Sequence, residues 1–146
     1  MSKSNAMENN LLRLVFQQVT WPNVADIATA GNITNIAVSL HTADPGEAGT
    51  QATNEVTTTA YAGYTRIGVN RTTTSWLVTG NVASPVANIS FPQASGGTGG
   101  TISFFGLGNA TSGAGTLMYS GTVTPNIAVA NGVTPILTTG STVTES

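Results

Sequence analysis

The chain has 146 residues and a net charge of -2; only 7% of its residues are charged, against about 25% in an average soluble domain. Its four cations would neutralise at most about four phosphates, which excludes nucleic-acid binding by charge. Cysteine is absent, so disulfides, thiolate nucleophiles and zinc–cysteine sites are excluded as well, and the length fits a single domain over residues 1–146.

At the N-terminus, residues 1–10 are polar, and the apolar run 11–16 is too short for the core of a secretion signal. No stretch reaches the roughly 18 apolar residues of a membrane helix, so no membrane association is expected. Residues 5–19 read as the one helix. Asn5 stands in capping position with Glu8 three residues on, and the acid suits the positive end of the helix dipole. Met7, Leu11, Leu14, Val15 and Val19 fall at helical spacing and form one apolar stripe. Trp21-Pro22 ends the helix, because proline excludes the preceding residue from helical geometry.

After Gly31 the pattern becomes short strands separated by turns. Residues 32–41 alternate, with Ile33, Ile36, Val38 and Leu40 apolar, as expected of a half-buried strand. Asp44-Pro45-Gly46-Glu47 and the following residues to Thr50 form a loop. There the aspartate can accept backbone N–H bonds and proline fixes φ. Strands follow at 64–69 and 75–78, with Gly80-Asn81 a turn between the second and the next. Residues 82–91 form a further strand region that Pro85 confines to an edge or a bulge. The glycine-rich stretch 96–100 reads as a flexible hairpin tip. Strands at 101–107, 116–123 and 133–138 complete the set, and Asn131-Gly132 is a hairpin signal. The expected fold is mainly β, an antiparallel, jelly-roll-like β-sandwich over 32–144 carrying the one N-terminal α-helix. Four Asn-x-Ser/Thr sequons, at Asn32, Asn70, Asn88 and Asn109, are expected by chance in a chain this rich in Asn and Thr, and are read as unglycosylated.

From Thr72 to Thr144 there is no Asp, Glu, Lys, Arg or His, a run of 73 residues. Free proteins keep a mixed charged surface for solubility, whereas the centre of a protein interface loses charge because an ion is costly to desolvate. The run therefore favours a protein that works against other protein. The competing reading is that neutral, Thr-rich strands simply occur in some secreted β-proteins.

Catalytic chemistry has little to work with. His41, Asp44 and Glu47 are the only cluster of potential ligands, and a metal would want a further donor, for which only Asp26 and Glu55 lie nearby in sequence. The plainer reading is that His41 ends a strand while the two acids dress the loop. With one imidazole, no Gly-x-Ser-x-Gly elbow and six scattered acids, neither nucleophilic nor paired-carboxylate catalysis is expected, and no cofactor. Gly96–Gly100 lacks the Lys-Ser/Thr of a phosphate loop. Among the aromatics, Tyr61 and Tyr64 are candidates for stacking on a sugar, although most of the aromatic residues sit in strand patterns and belong in a core.

The segment Leu40-His41-Thr42-Ala43-Asp44-Pro45-Gly46-Glu47-Ala48-Gly49 resembles a loop of small tailed-bacteriophage virion proteins. Asn54-Glu55-Val56 and Tyr61-Ala62-Gly63-Tyr64-Thr65-Arg66 are similar to the elements that follow it there. Ile89-Ser90-Phe91-Pro92, Ile102-Ser103-Phe104-Phe105-Gly106-Leu107, Leu117-Met118-Tyr119-Ser120-Gly121 and the helix start at residues 5–12 extend the resemblance over most of the chain. It departs at Gly108-Asn109-Ala110-Thr111, a neutral turn where the pattern often carries a charged one. Members are labelled head-decoration or tail-fibre proteins. The resemblance implies a non-enzymatic virion component made in the bacterial host cytoplasm. The leading expectation is a decoration (cement) protein on the outer capsid surface, trimeric and partnered with the major capsid protein. The alternative is a tail-fibre or receptor-binding module for host glycan. Expected contact residues are Leu11, Leu14 and Phe16 on the helix, and Asp44, Pro45, Gly46 and Glu47 in the loop.

Overall fold

The computed structural model describes residues 4–21 and 33–145. Pro22, Asp26, Gly31 and Asn32, which figure in the sequence reading, lie outside the described residues. The fold is mainly β, with one N-terminal helix and antiparallel sheets of four, three and two strands, consistent with the β-sandwich class. The chain forms two compact units: the first comprises Met1–Asn35, Asn70–Ile89 and Leu137–Ser146, and the second Ile36–Val69 and Ser90–Ile136.

In the first unit, α1 (Asn5–Gln17) packs on β3 (Trp76–Thr79) and β4 (Val82–Pro85), and β9 (Val143–Thr144) completes the order β3-β4-β9. The cap is Ser4 rather than Asn5. Ser4 has extended backbone angles, and its hydroxyl accepts from the Met7 N–H at 3.3 Å, so the expected cap shifts by one residue. The helix also ends two residues early. Gln18 turns left-handed at φ 54°, and the Val19 N–H reaches back to the Arg13 carbonyl at 3.2 Å. The last carbonyls find a donor remote in sequence: the Arg71 guanidinium binds the oxygens of Leu14 and Val15 at 2.6 Å each, and that of Ile33 at 2.7 Å. Phe16 is fully buried, its ring edge-on to Trp76 at 4.7 Å. Gly80, at φ 61°, opens the two-residue turn between β3 and β4, as a hairpin with this twist requires.

In the second unit the four-stranded sheet runs β2-β1-β6-β7, from β2 (Ile67–Asn70) through β1 (Asn35–His41) and β6 (Gly100–Gly108) to β7 (Leu117–Val129). β1 is central, paired to β6 from Ala37↔Gly108 to His41↔Phe104. It is buried on both faces from Ile36 to His41, so the expected half-buried alternation does not hold. Its polar positions Ser39 and His41 go inward because each finds a partner there. β7 is longer than expected and irregular: between Ile102↔Ile127 and Phe104↔Thr122 its residues 123–126 bulge out opposite Ser103 alone.

Three expected elements turn out differently. Residues 82–91 are divided into β4 and β5 (Ile89–Ser90), and β5 pairs with β8 (Ile136–Leu137) as a separate ribbon. Asn131-Gly132 makes a turn, with Gly132 at φ 86°, but β7 and β8 do not pair across it, so no hairpin forms. Residues 96–100 are not a free tip. Thr98 and Gly99 donate to the carbonyls of Thr59 and Ala60 at 2.9 and 3.0 Å, and a Cβ on Gly97 would stand 2.4 Å from the Ala60 oxygen. No helix among the described residues is long and apolar enough to cross a membrane.

Candidate interaction surface

Beneath the loop after β1 lies a buried polar network. The His41 Nδ1 and the Thr53 carbonyl oxygen are 2.8 Å apart, and the Nε2 lies 2.8 Å from the Ser39 hydroxyl, which is also 3.3 Å from the Gly106 carbonyl. A neutral ring protonated on Nδ1 donates to Thr53 and leaves Nε2 to accept from Ser39, whose single hydroxyl hydrogen then goes to the ring at 2.8 Å rather than to the Gly106 carbonyl at 3.3 Å. Burial holds the imidazole below its ordinary pKa; the hydrogen bond with Thr53 and the charge of Glu55 oppose this. Gly106 leaves the room that the network needs, since a Cβ there would meet His41 Nε2 at 2.6 Å and Ser39 Oγ at 2.7 Å.

A second network ties this loop to the turn between β6 and β7. Arg66 grips Glu55 through Nε and Nη2 at 2.7 Å each, and donates to the carbonyls of Ala110 at 2.8 Å and Gly113 at 2.6 Å. Glu55 also accepts from the Tyr64 hydroxyl at 2.8 Å, while that hydroxyl accepts from the Leu40 N–H at 3.0 Å. The hydrogen bonds to Glu55 raise the pKa of the Arg66 guanidinium, and burial pushes the Tyr64 phenol up. Gln51, fully buried, accepts from the Ala110 N–H at 2.9 Å and donates to the Ala37 carbonyl at 3.3 Å. The neutral turn at 108–111, where the resemblance led one to look for charge, is thus held by a cation from elsewhere in the unit.

On this frame sits the Asp44 loop. The Asp44 carboxylate accepts from the Gly46 N–H at 2.9 Å, Gly46 has φ 70°, and Asn54 donates to the Asp44 carbonyl at 2.8 Å. The turn chemistry expected of Asp-Pro-Gly is present. Pro45 is buried, whereas Asp44, Gly46 and Glu47 are exposed. These three face Leu117, Met118, Tyr119 and Ser120 of β7 across an open groove of about 420 Å³.

On the helix, Leu11 and Leu14 are half-buried, and Phe16 belongs to the core of the first unit. Tyr61 and Tyr64 are 0% and 8% exposed, with ring centroids 5.4 Å apart, so neither presents a face to a sugar. The stacking role considered for them is withdrawn. Both ring nitrogens of His41 are engaged inside the protein, and among the described residues no group of three or more His, Cys, Asp or Glu is placed to hold a metal. Sequence reasoning missed Gln51, Thr53 and the β7 wall of the groove. No local pattern marks them, since each acts through contacts made by distant segments.

A family model described as Podophage GP4 fiber I protein gp80 matches residues 2–145. No curated protein matches the chain.

Proposed function

Since the chain belongs to the Podophage GP4 fiber I protein gp80 family, we propose that it is a structural subunit of a virion fibre that works by assembly rather than catalysis. The family match over residues 2–145 carries this reading. It agrees with a chain in which His41, Glu55, Arg66 and Arg71 are held in hydrogen bonds inside the fold. The single imidazole is one of them, its neutral ring filled by Ser39 and Thr53 and without room for a substrate. The subunit acts together with other copies of itself, a trimer being the expected state, and with other proteins of the particle.

Immunogold electron microscopy of intact virions, with antibody against the purified protein, tests the assignment. Gold on fibres is the expected result. Gold spread evenly over the head would overturn it in favour of a cement protein bound to the major capsid protein on the outer capsid surface.

A further inference from the structure

Five of the eight charged side chains among the described residues are buried or half-buried in the fold. Glu55 and Arg66 hold each other, Arg71 directs three donors at backbone carbonyls, and Glu8 and Glu145 are buried. Three charged side chains remain exposed: Arg13 on α1 of the first unit, and Asp44 and Glu47 on the loop of the second. The two acids stand at the rim of the groove whose other wall is Leu117–Ser120, with Tyr119 half-buried in it.

We infer that copies of this chain bind one another by seating Arg13 of one copy in the Asp44–Glu47 groove of another. This deepens the assembly role proposed above and names its contact. The signs allow no other electrostatic self-contact among these residues. Groove against groove would gather four carboxylates, and helix against helix would set two guanidiniums together, whereas the crossed contact pairs opposite charges. The groove is large enough for a guanidinium and its stem. An arginine suits it better than a lysine, because the planar fork binds a carboxylate through two parallel hydrogen bonds and lies flat on a tyrosine ring. Among the described residues no other exposed side chain carries a charge that would compete with the contact.

Sedimentation velocity of the purified full chain tests the inference at about 0.02 M and about 0.5 M salt, across which screening of exposed charges rises steeply. Self-association at low salt that weakens at high salt is expected. Asp44→Asn with Glu47→Gln should weaken it about tenfold, the scale of two exposed ion pairs. Arg13→Glu alone, and Asp44→Arg with Glu47→Arg, should each leave monomer, and all three reversals in one chain should restore association. Thermal melts of each variant separate loss of contact from loss of fold: Arg13→Glu is expected to match the parent, while Asp44→Arg, which gives up the bond from the Gly46 N–H, is expected to melt slightly lower yet cooperatively. A parent monomeric at both salts, an Arg13→Glu chain that still associates, or a triple reversal that folds and stays monomeric would each overturn the contact. None of these would move gold from a fibre, so the fibre assignment stands or falls separately.

Discussion

At the scale of single residues, the second unit depends on two buried polar groups whose roles differ. His41 has a lowered pKa in the folded chain, so below its ordinary value of 6.5 the unfolded chain binds more protons than the folded one. The stability His41 contributes is therefore complete above pH 6.5 and is lost as pH falls from there through the folded pKa. Melting temperature should decline over that window in the parent, and His41→Gln should flatten this part of the profile; an unchanged profile in the variant would rule the residue out as the cause. Arg66 is a structural cation, its side chain 3% exposed. Arg66→Ala leaves the Glu55 carboxylate without its counter-charge, with only the Tyr64 hydroxyl donating to it, and takes the donor from two carbonyls; it should cost about 3 kcal/mol in chemical denaturation. The sequence named His41 as the end of a strand, and that is where it lies. It could not pair Glu55 with Arg66, because the two are brought together by irregular turns that leave no periodic signature. Tyr61 and Tyr64 were legible as aromatic core candidates, but their burial arises in turns rather than in the strand the pattern suggested.

At the scale of elements, local signals succeeded where the determinant was local. The helix, the Asp-Pro-Gly turn and the Gly80-Asn81 hairpin all follow from capping, proline geometry and positive φ. They failed where a distant segment decided the outcome. The helix gives way at Gln18, which turns left-handed, and its last carbonyls are taken up by Arg71 from far along the chain. Gly96–Gly100 looked like a flexible tip because glycine is permissive, yet here that permissiveness allows close backbone approach. Gly97, at φ 109°, lies against the Ala60 carbonyl, so Gly97→Ala should destabilise the second unit by about 2 kcal/mol. Hydrogen exchange should show lost protection at Thr98 and Gly99; unchanged protection would mean the seam is looser than its geometry implies.

At the scale of the whole molecule, composition carried the broadest inference. A chain with 73 consecutive residues free of ionisable side chains, tyrosine apart, reads as a component of a larger assembly, and family membership places it among phage virion proteins. Strand order and the groove were out of reach, since both depend on which non-adjacent strands pair. The sequestration of Arg66 and Arg71 bears on how such a protein survives outside a cell. A protease that cleaves after basic residues must draw an extended Arg or Lys into a pocket ending in a carboxylate. Both of these guanidiniums are bolted to carbonyls, and nothing beyond Arg71 offers another target. Among the described residues only Arg13 stands open to such an enzyme, on a helix that must first unwind, and an assembly that buries Arg13 in its neighbour would close that last door.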